Sequence, residues 1–241
     1  MKRILMLMIV SASILFGSNS VSAQMFSVGN SPQQRSFPSS YFRIGMGPTN
    51  FEYKGNDINP LGSTLLEFDN NALFINMETP GTNLTLMLGN NITGLKDKSF
   101  FDLGFVLSNK FSIIRDQAFT IGIPIQLYSS ITSINNDRAE ENFNQVNFAL
   151  GSGGFVNLKL GKKFTFTNEL TPGYGFSNSS GGFFGGSLFF LTGKSRLNLI
   201  NLIGGKSISI GYDYNYRSFD IDGELYDFDL KSHLLTIGFS L

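Results

Sequence analysis

The chain has 241 residues, with 18 Lys+Arg balanced by 18 Asp+Glu, and only 15% of its residues are charged, against about 25% in an ordinary soluble domain. The absence of cysteine excludes disulfides, thiolate metal sites and thiol nucleophiles, and a single histidine, His233, excludes a histidine-rich metal site. The zero net charge gives no reason to expect a nucleic-acid partner, while the excess of glycine (27) and phenylalanine (25) suits a sheet with one apolar and one confined face.

The first segment, residues 1–23, reads as a secretory signal peptide. Lys2 and Arg3 precede an apolar run from Ile4 to Phe16, and Val21, Ser22 and Ala23 supply a small-residue cleavage site before Gln24. That run is well short of the ~20 apolar residues a spanning helix needs. Residues 24–40, rich in Ser, Pro, Gln and Asn, read as a flexible periplasmic segment without a fold of its own. Residues 41–241 then form one domain.

Within it a period-two alternation recurs, clearest at Phe119, Ile121, Ile123, Ile125 and Leu127. Such alternation places one kind of side chain on each face of a strand. Ten strands give the most consistent division: 41–54, 71–78, 83–90, 98–108, 118–131, 144–160, 164–176, 183–203, 206–218 and 229–241. Twelve strands follow if Thr192 to Ser195 is a turn splitting 183–203 or if 62–68 is an added strand, and eight is the lower alternative. Short connections (78–81, 161–163, 204–205, with 109–117 a longer member) alternate with longer polar ones (55–70, 91–97, 132–143, 177–182, 219–228). Transmembrane barrels show this asymmetry, with short periplasmic turns and longer extracellular loops. The fold class expected is therefore all-β, a transmembrane up-and-down antiparallel barrel with both termini in the periplasm.

The competing reading is a soluble barrel or sandwich with its apolar face inward. The second face argues against it, because it carries mainly Gly, Ser, Thr and Asn rather than the Lys and Glu of a water-exposed sheet. Tyr174, Tyr212, Tyr214 and Tyr216 share the apolar parity near one end of their strands, as an interfacial aromatic girdle would. Tyr53 and Tyr128 fall on the other parity.

The export segment, the alternation of short turns and long loops, and the alternating final strand (Leu235, Ile237, Phe239, Leu241) together resemble the small porin-like outer-membrane barrels of Gram-negative bacteria of the Bacteroidetes type. In that family the last strand closes on an aromatic residue, whereas here it ends in leucine. The resemblance spans the mature chain and implies an outer-membrane location. It does not imply one molecular function, since one fold hosts many.

By parity the lumen-facing charges are Arg43, Asp102, Lys159, Glu169, Asp213 and Arg217, three of each sign. A selective pore would show an excess of one sign at its constriction, so a balanced set is expected to pair across the interior. Ten strands lie nearer the side-chain-filled eight-stranded barrel than the open sixteen-stranded one, although lumen glycines would thin the filling. The function expected is porin-like, with a narrow polar lumen giving limited small-solute passage. The alternative is a closed structural or adhesive barrel working through loops 55–70, 132–143 and 219–228. A barrel hydrolase built on His233 with Asp227, Asp229 and Ser232 is a distant third, since no nucleophile motif accompanies the histidine. The acids from Asp220 to Asp229 lack the calcium-loop spacing. No catalytic residue, metal or cofactor is expected. The partners expected are outer-membrane lipid and small solutes or surface ligands, and the sequence carries no signal for oligomeric state.

Overall fold

The computed structural model describes residues 40–55, 65–139, 142–179, 185–203, 205–221 and 227–241. The expected export segment and nearly all of the 24–40 tail lie outside the described residues. The strands are β1 (Tyr41–Tyr53), β2 (Phe68–Glu78), β3 (Thr82–Gly89), β4 (Lys98–Arg115), β5 (Phe119–Asn136), β6 (Phe143–Ser152), β7 (Gly154–Leu160), β8 (Phe164–Ser179), β9 (Gly185–Ile203), β10 (Lys206–Asp220) and β11 (Phe228–Ser240). A 3-10 turn, Asn91–Thr93, follows β3.

Every pairing is antiparallel, each strand pairs with its chain neighbours except across the β6–β7 break, and β1 joins β11, so the sheet closes on itself. β6 and β7 share the same neighbours, β5 and β8, and continue in one register: Ile125 faces Ser152 while Gly122 faces Phe155. They are one wall strand interrupted at Gly153, where a Cβ would collide with the Leu170 carbonyl. The wall thus has ten strands.

Several boundaries differ from the sequence expectation. β4 runs on to Arg115 and β5 begins at Phe119, so 109–117 is mostly strand and the turn is 116–118. β9 is one strand through Thr192 to Ser195, because Gly193 stays paired with Leu170 on one side and Tyr214 on the other. Of the possible extra strand at 62–68, residues 65–66 form a turn and Phe68 opens β2, while 62–64 lie outside the described residues. The asymmetry of connections holds: 79–81, 116–118, 161–163 and 204–205 close one end, and 54–67, 90–97, 137–142, 180–184 and 221–227 the other. Tyr41 and Ser240, paired to each other, lie at the short-turn end.

Side-chain exposure is inverted relative to a soluble barrel. Met46 (55%), Leu150 (66%), Leu235 (69%) and Ile210 (55%) face outward, while Arg43, Asp102 and Arg217 are buried. Each large apolar side chain left in water forgoes roughly 1.5–3 kcal/mol of burial, so a belt of them requires lipid. Strands of 13 to 19 residues such as β1 and β9 exceed the ~9–11 needed to cross a bilayer at a tilt.

The surplus length has a distinct use, because the alternation changes phase along the strands. On β1, Phe42, Ile44 and Met46 point outward, but further up Phe51 points inward and is fully buried. On β11, Leu235, Ile237 and Phe239 point outward, and above them Phe228 and Leu230 point inward. On β5, outward Ile121, Ile123 and Ile125 give way to inward Ile134. Toward the long-loop end the outer face becomes Asn50, Glu52, Asp69, Lys231 and Asp229. The lower wall has a membrane protein's polarity and the upper wall a soluble protein's. Tyr174 and Tyr212 lie outward, as an interfacial girdle requires, while Tyr128 is buried inside.

Candidate functional site in the barrel interior

The upper interior is filled by aromatic rings. Phe51 stacks nearly parallel on Phe228 (centroids 4.6 Å apart) and meets Phe143 edge-on at 5.0 Å. Phe143 touches Phe219 at 5.1 Å, Phe68 links Phe51 (6.0 Å) to Phe100 (5.4 Å), and Tyr53 abuts Phe228 at 5.3 Å. Because these rings come from β1, β2, β4, β6, β10 and β11, they meet across the bore rather than lining it. Leu66, Leu95 and Ile221, from the connecting loops, are buried against the same cluster.

Below the rings the filling becomes ionic. Arg217 of β10 reaches Asp102 of β4 through two contacts, Nη1–Oδ1 at 2.6 Å and Nη2–Oδ2 at 2.7 Å. Thr132 Oγ1 donates to Asp102 Oδ1 (2.7 Å) and accepts from Arg217 Nη1 (2.9 Å). The guanidinium also lies 5.8 Å from the Tyr128 ring. Lower down, Arg196 pairs with Asp213 at 2.5 Å and Arg43 with Glu78 at 2.5 Å. Glu169 accepts from Lys110 Nζ and from Gln126 Nε2, both at 2.6 Å. Asn76 donates to Asn83 beside Arg43.

All six residues singled out by parity point inward, but they do not form three pairs among themselves. Asp102 and Arg217 meet; Arg43, Glu169 and Asp213 take Glu78, Lys110 and Arg196 instead. Lys159 lies on the inward parity of β7 at the short-turn end, paired in register with Thr165. The missed partners were hidden by boundaries: Glu78 and Lys110 fall in segments read as turns, and Arg196 in the over-long segment whose parity was unassigned. The lumen glycines act as seats rather than gaps. A Cβ on Gly238 would lie 2.5 Å from Arg43 Cγ, and one on Gly211 2.7 Å from Arg196 Nη1.

The histidine constellation is not assembled. Ser232 is fully buried inside the wall, whereas His233, next along the strand, faces outward, where its Nδ1 bonds the Tyr212 hydroxyl at 2.6 Å. Asp229 accepts from Tyr216 (3.0 Å) and Asp227 from the Ile221 amide (3.0 Å); residues 222–226 of the acidic segment lie outside the described residues. Among the described residues no group of three His, Asp or Glu side chains is placed to hold a metal.

At the long-loop end, the described parts of separate connections are tied together. Asn136 Nδ2 donates to the Leu65 carbonyl (2.6 Å), Arg138 meets Asp97 (3.1 Å), and Lys98 bonds the Glu67 carbonyl. Glu67 in turn accepts from the Tyr53 amide at 3.0 Å.

No protein-family model matches the chain, and no curated protein sequence matches it. Among solved structures it is similar to the outer membrane protease OmpT of Escherichia coli (8% identity, TM-score 0.45, covering 86% of this chain and 98% of that one). It is also similar to the beta domain of the Bordetella autotransporter BrkA (10% identity, TM-score 0.33, 86% and 100%). A third is the attachment invasion locus protein Ail of Yersinia pestis, solved with the heparin analogue sucrose octasulfate (13% identity, TM-score 0.26, 83% and 97%). At these identities no residue role carries over.

Proposed function

We propose that the protein is a non-enzymatic outer-membrane barrel, exported by residues 1–23, whose bore is closed and whose role is to hold a loop platform at the cell surface for contact with surface ligands. The observation that carries this reading is the ring cluster around Phe51, Phe143 and Phe228. A porin-like passage needs a continuous polar path, and the rings interrupt it with side chains that leave almost no surface to water. The ion pairs beneath them support the same reading, because each carboxylate is neutralised by a neighbour rather than offered to a passing solute. The cross-tied loops support the second half: Leu66, Leu95 and Ile221 root the described parts of three separate connections in the apolar cluster.

Planar-bilayer recording tests the closure. The purified wild-type protein is expected to stay silent, and reproducible single-channel steps would sink the proposal. Replacing residues 56–64 by a short turn tests the platform: surface attachment of cells should fall while the purified barrel keeps its heat-modifiable band. Attachment that persists undiminished through truncation of every long connection would overturn the loop role.

A further inference from the structure

The lipid-facing wall is not apolar throughout. On β1 and β11 the belt is an unbroken apolar run, Phe42, Ile44 and Met46 beside Leu235, Ile237 and Phe239. On β8 and β9 it is interrupted. Asn168 points outward, with Phe164 and Phe166 on its short-turn side and Leu170 and Tyr174 on the other. On β9, Ser195 and Gly193 lie between outward Leu197 and outward Phe189. Asn168 and Ser195 are cross-strand partners, and Asn168 Nδ2 donates to Ser195 Oγ at 2.6 Å. That bond uses one N–H of the amide; its second N–H and its Oδ1 make no further hydrogen bond among the described residues. Hydrocarbon supplies neither donor nor acceptor, so polar groups left open at that depth are strongly disfavoured.

The glycines beside the pair carry an independent sign. Strand glycines elsewhere in the barrel are dictated by its own packing: a Cβ on Gly122 would collide with the Phe111 carbonyl, and one on Gly173 with the Phe190 ring. Gly193 and Gly154 differ. A Cβ on Gly193 would meet nothing closer than 3.5 Å and one on Gly154 nothing within 4 Å, and neither has a positive φ. Both lie on the outward face as cross-strand partners of Leu170. Glycine weakens a strand, and where the fold leaves room for a side chain it marks ground that another backbone approaches.

We propose that this patch is where two copies of the chain pair in the membrane, with Asn168 beside the two-fold axis. A side-chain amide is both donor and acceptor, so two Asn168 side chains related by a two-fold bond each other, Nδ2 to Oδ1 in both directions, while each keeps Ser195. The contact closes every open group and sets no like charges together, because the outward neighbours Val156, Leu158, Leu197 and Tyr212 are uncharged. A two-fold interface requires such self-complementarity, and small residues that let backbones come close favour association in lipid. A lipid headgroup is a poorer occupant, since apolar Leu170 and Tyr174 separate Asn168 from the long-loop end. Asn109 of β4 is also an outward asparagine, but it stands between Leu107 and Phe111 and opposite Ile125, with no bare ground around it. The inference uses the outer wall alone, so it fails separately from the closed bore and the loop platform.

The full-length protein reconstituted in phospholipid vesicles is the test. The chain has no cysteine, so Leu170→Cys gives one reactive site beside the axis. A short bis-maleimide should convert it to a dimer, whereas Ile44→Cys on the β1 wall should stay monomeric. Energy transfer between separately labelled wild-type copies, followed as lipid dilutes them, should fit a dimer. Asn168→Leu and Gly193→Leu should each raise the dissociation constant at least tenfold while retaining the heat-modifiable band, and Asn109→Leu should leave it unchanged. A wild type monomeric at every dilution, equal cross-linking from the two cysteine variants, or undiminished pairing by folded Asn168→Leu would overturn the proposal. So would a different protein co-purifying in stoichiometric amount and linking to Leu170→Cys. If Gly193→Leu does not fold, Asn168→Leu decides, because it only exchanges an outward amide for an apolar group.

Discussion

Arg217 and Asp102, 115 residues apart in sequence, clasp each other across the bore with both guanidinium nitrogens on both carboxylate oxygens. The pair is shut away from water, with 5% and 1% side-chain exposure. Removing one partner of such a pair strands the other, at about 3–5 kcal/mol, whereas replacing both by apolar residues can be nearly neutral. Asp102→Ala should therefore lower the urea midpoint of the refolded barrel strongly. The double variant Asp102→Leu with Arg217→Met should recover most of that loss, and a double variant as unstable as the single one would refute the account.

The ring cluster makes a prediction of opposite character, visible in conduction rather than stability. Combining Phe51→Ala, Phe143→Ala and Phe228→Ala removes the central stack while leaving the wall pairing intact. This variant should pass small ions in planar bilayers where wild type does not. Its stability should fall by several kcal/mol at most, since part of each ~3–5 kcal/mol truncation cost is relieved if water fills the opening.

On the outer wall, Ile237 is 54% exposed in the middle of the apolar run of β11. A lysine there would sit in hydrocarbon at about 2–4 kcal/mol near the midplane. Ile237→Lys should slow or prevent insertion into lipid vesicles. The same charge at Asn50, above the phase change, should be tolerated within experimental error.

Gly211 and Gly238 predict a steric effect inside. A methyl group on either presses on Arg196 or Arg43, and overpacking typically costs about 1–3 kcal/mol. Gly211→Ala should lower the unfolding midpoint, and Thr236→Ala in the same chain, which removes the nearest contact (Thr236 Oγ1 at 2.6 Å), should offset part of that loss. By contrast Arg138 and Asp97, whose side chains are 72% and 62% exposed, form a tie whose removal should change stability by under about 1 kcal/mol.

The wall was legible in the sequence because lipid enforces strict alternation: Phe119 through Leu127 and Leu235 through Phe239 name their faces without help. The filling was less so. Phe51, Phe143 and Phe228 carry no local mark of where they converge, since convergence depends on closure between β1 and β11. Their clue was the change of phase, visible as outward Met46 followed by inward Phe51, or inward Leu230 followed by outward Leu235. Parity did find Arg43, Asp102 and Arg217. It missed Lys110, which beside Asn109 was read as part of a turn, and Arg196, which lies in a segment too long for one strand when strand length is judged from the bilayer alone. Strands that continue past the lipid break that rule.

That change of phase also fixes the molecule's draught. A hull whose paint changes colour at one line shows where it must float, and here the line is drawn separately on each strand. Sinking by one residue pair would drag Asn50, Asp69 and Lys231 into hydrocarbon, and rising by one would strand Leu235 and Met46 in water. The barrel has little freedom to shift along the membrane normal. In a bilayer thicker or thinner than its apolar belt, the lipid must stretch or compress to meet the protein.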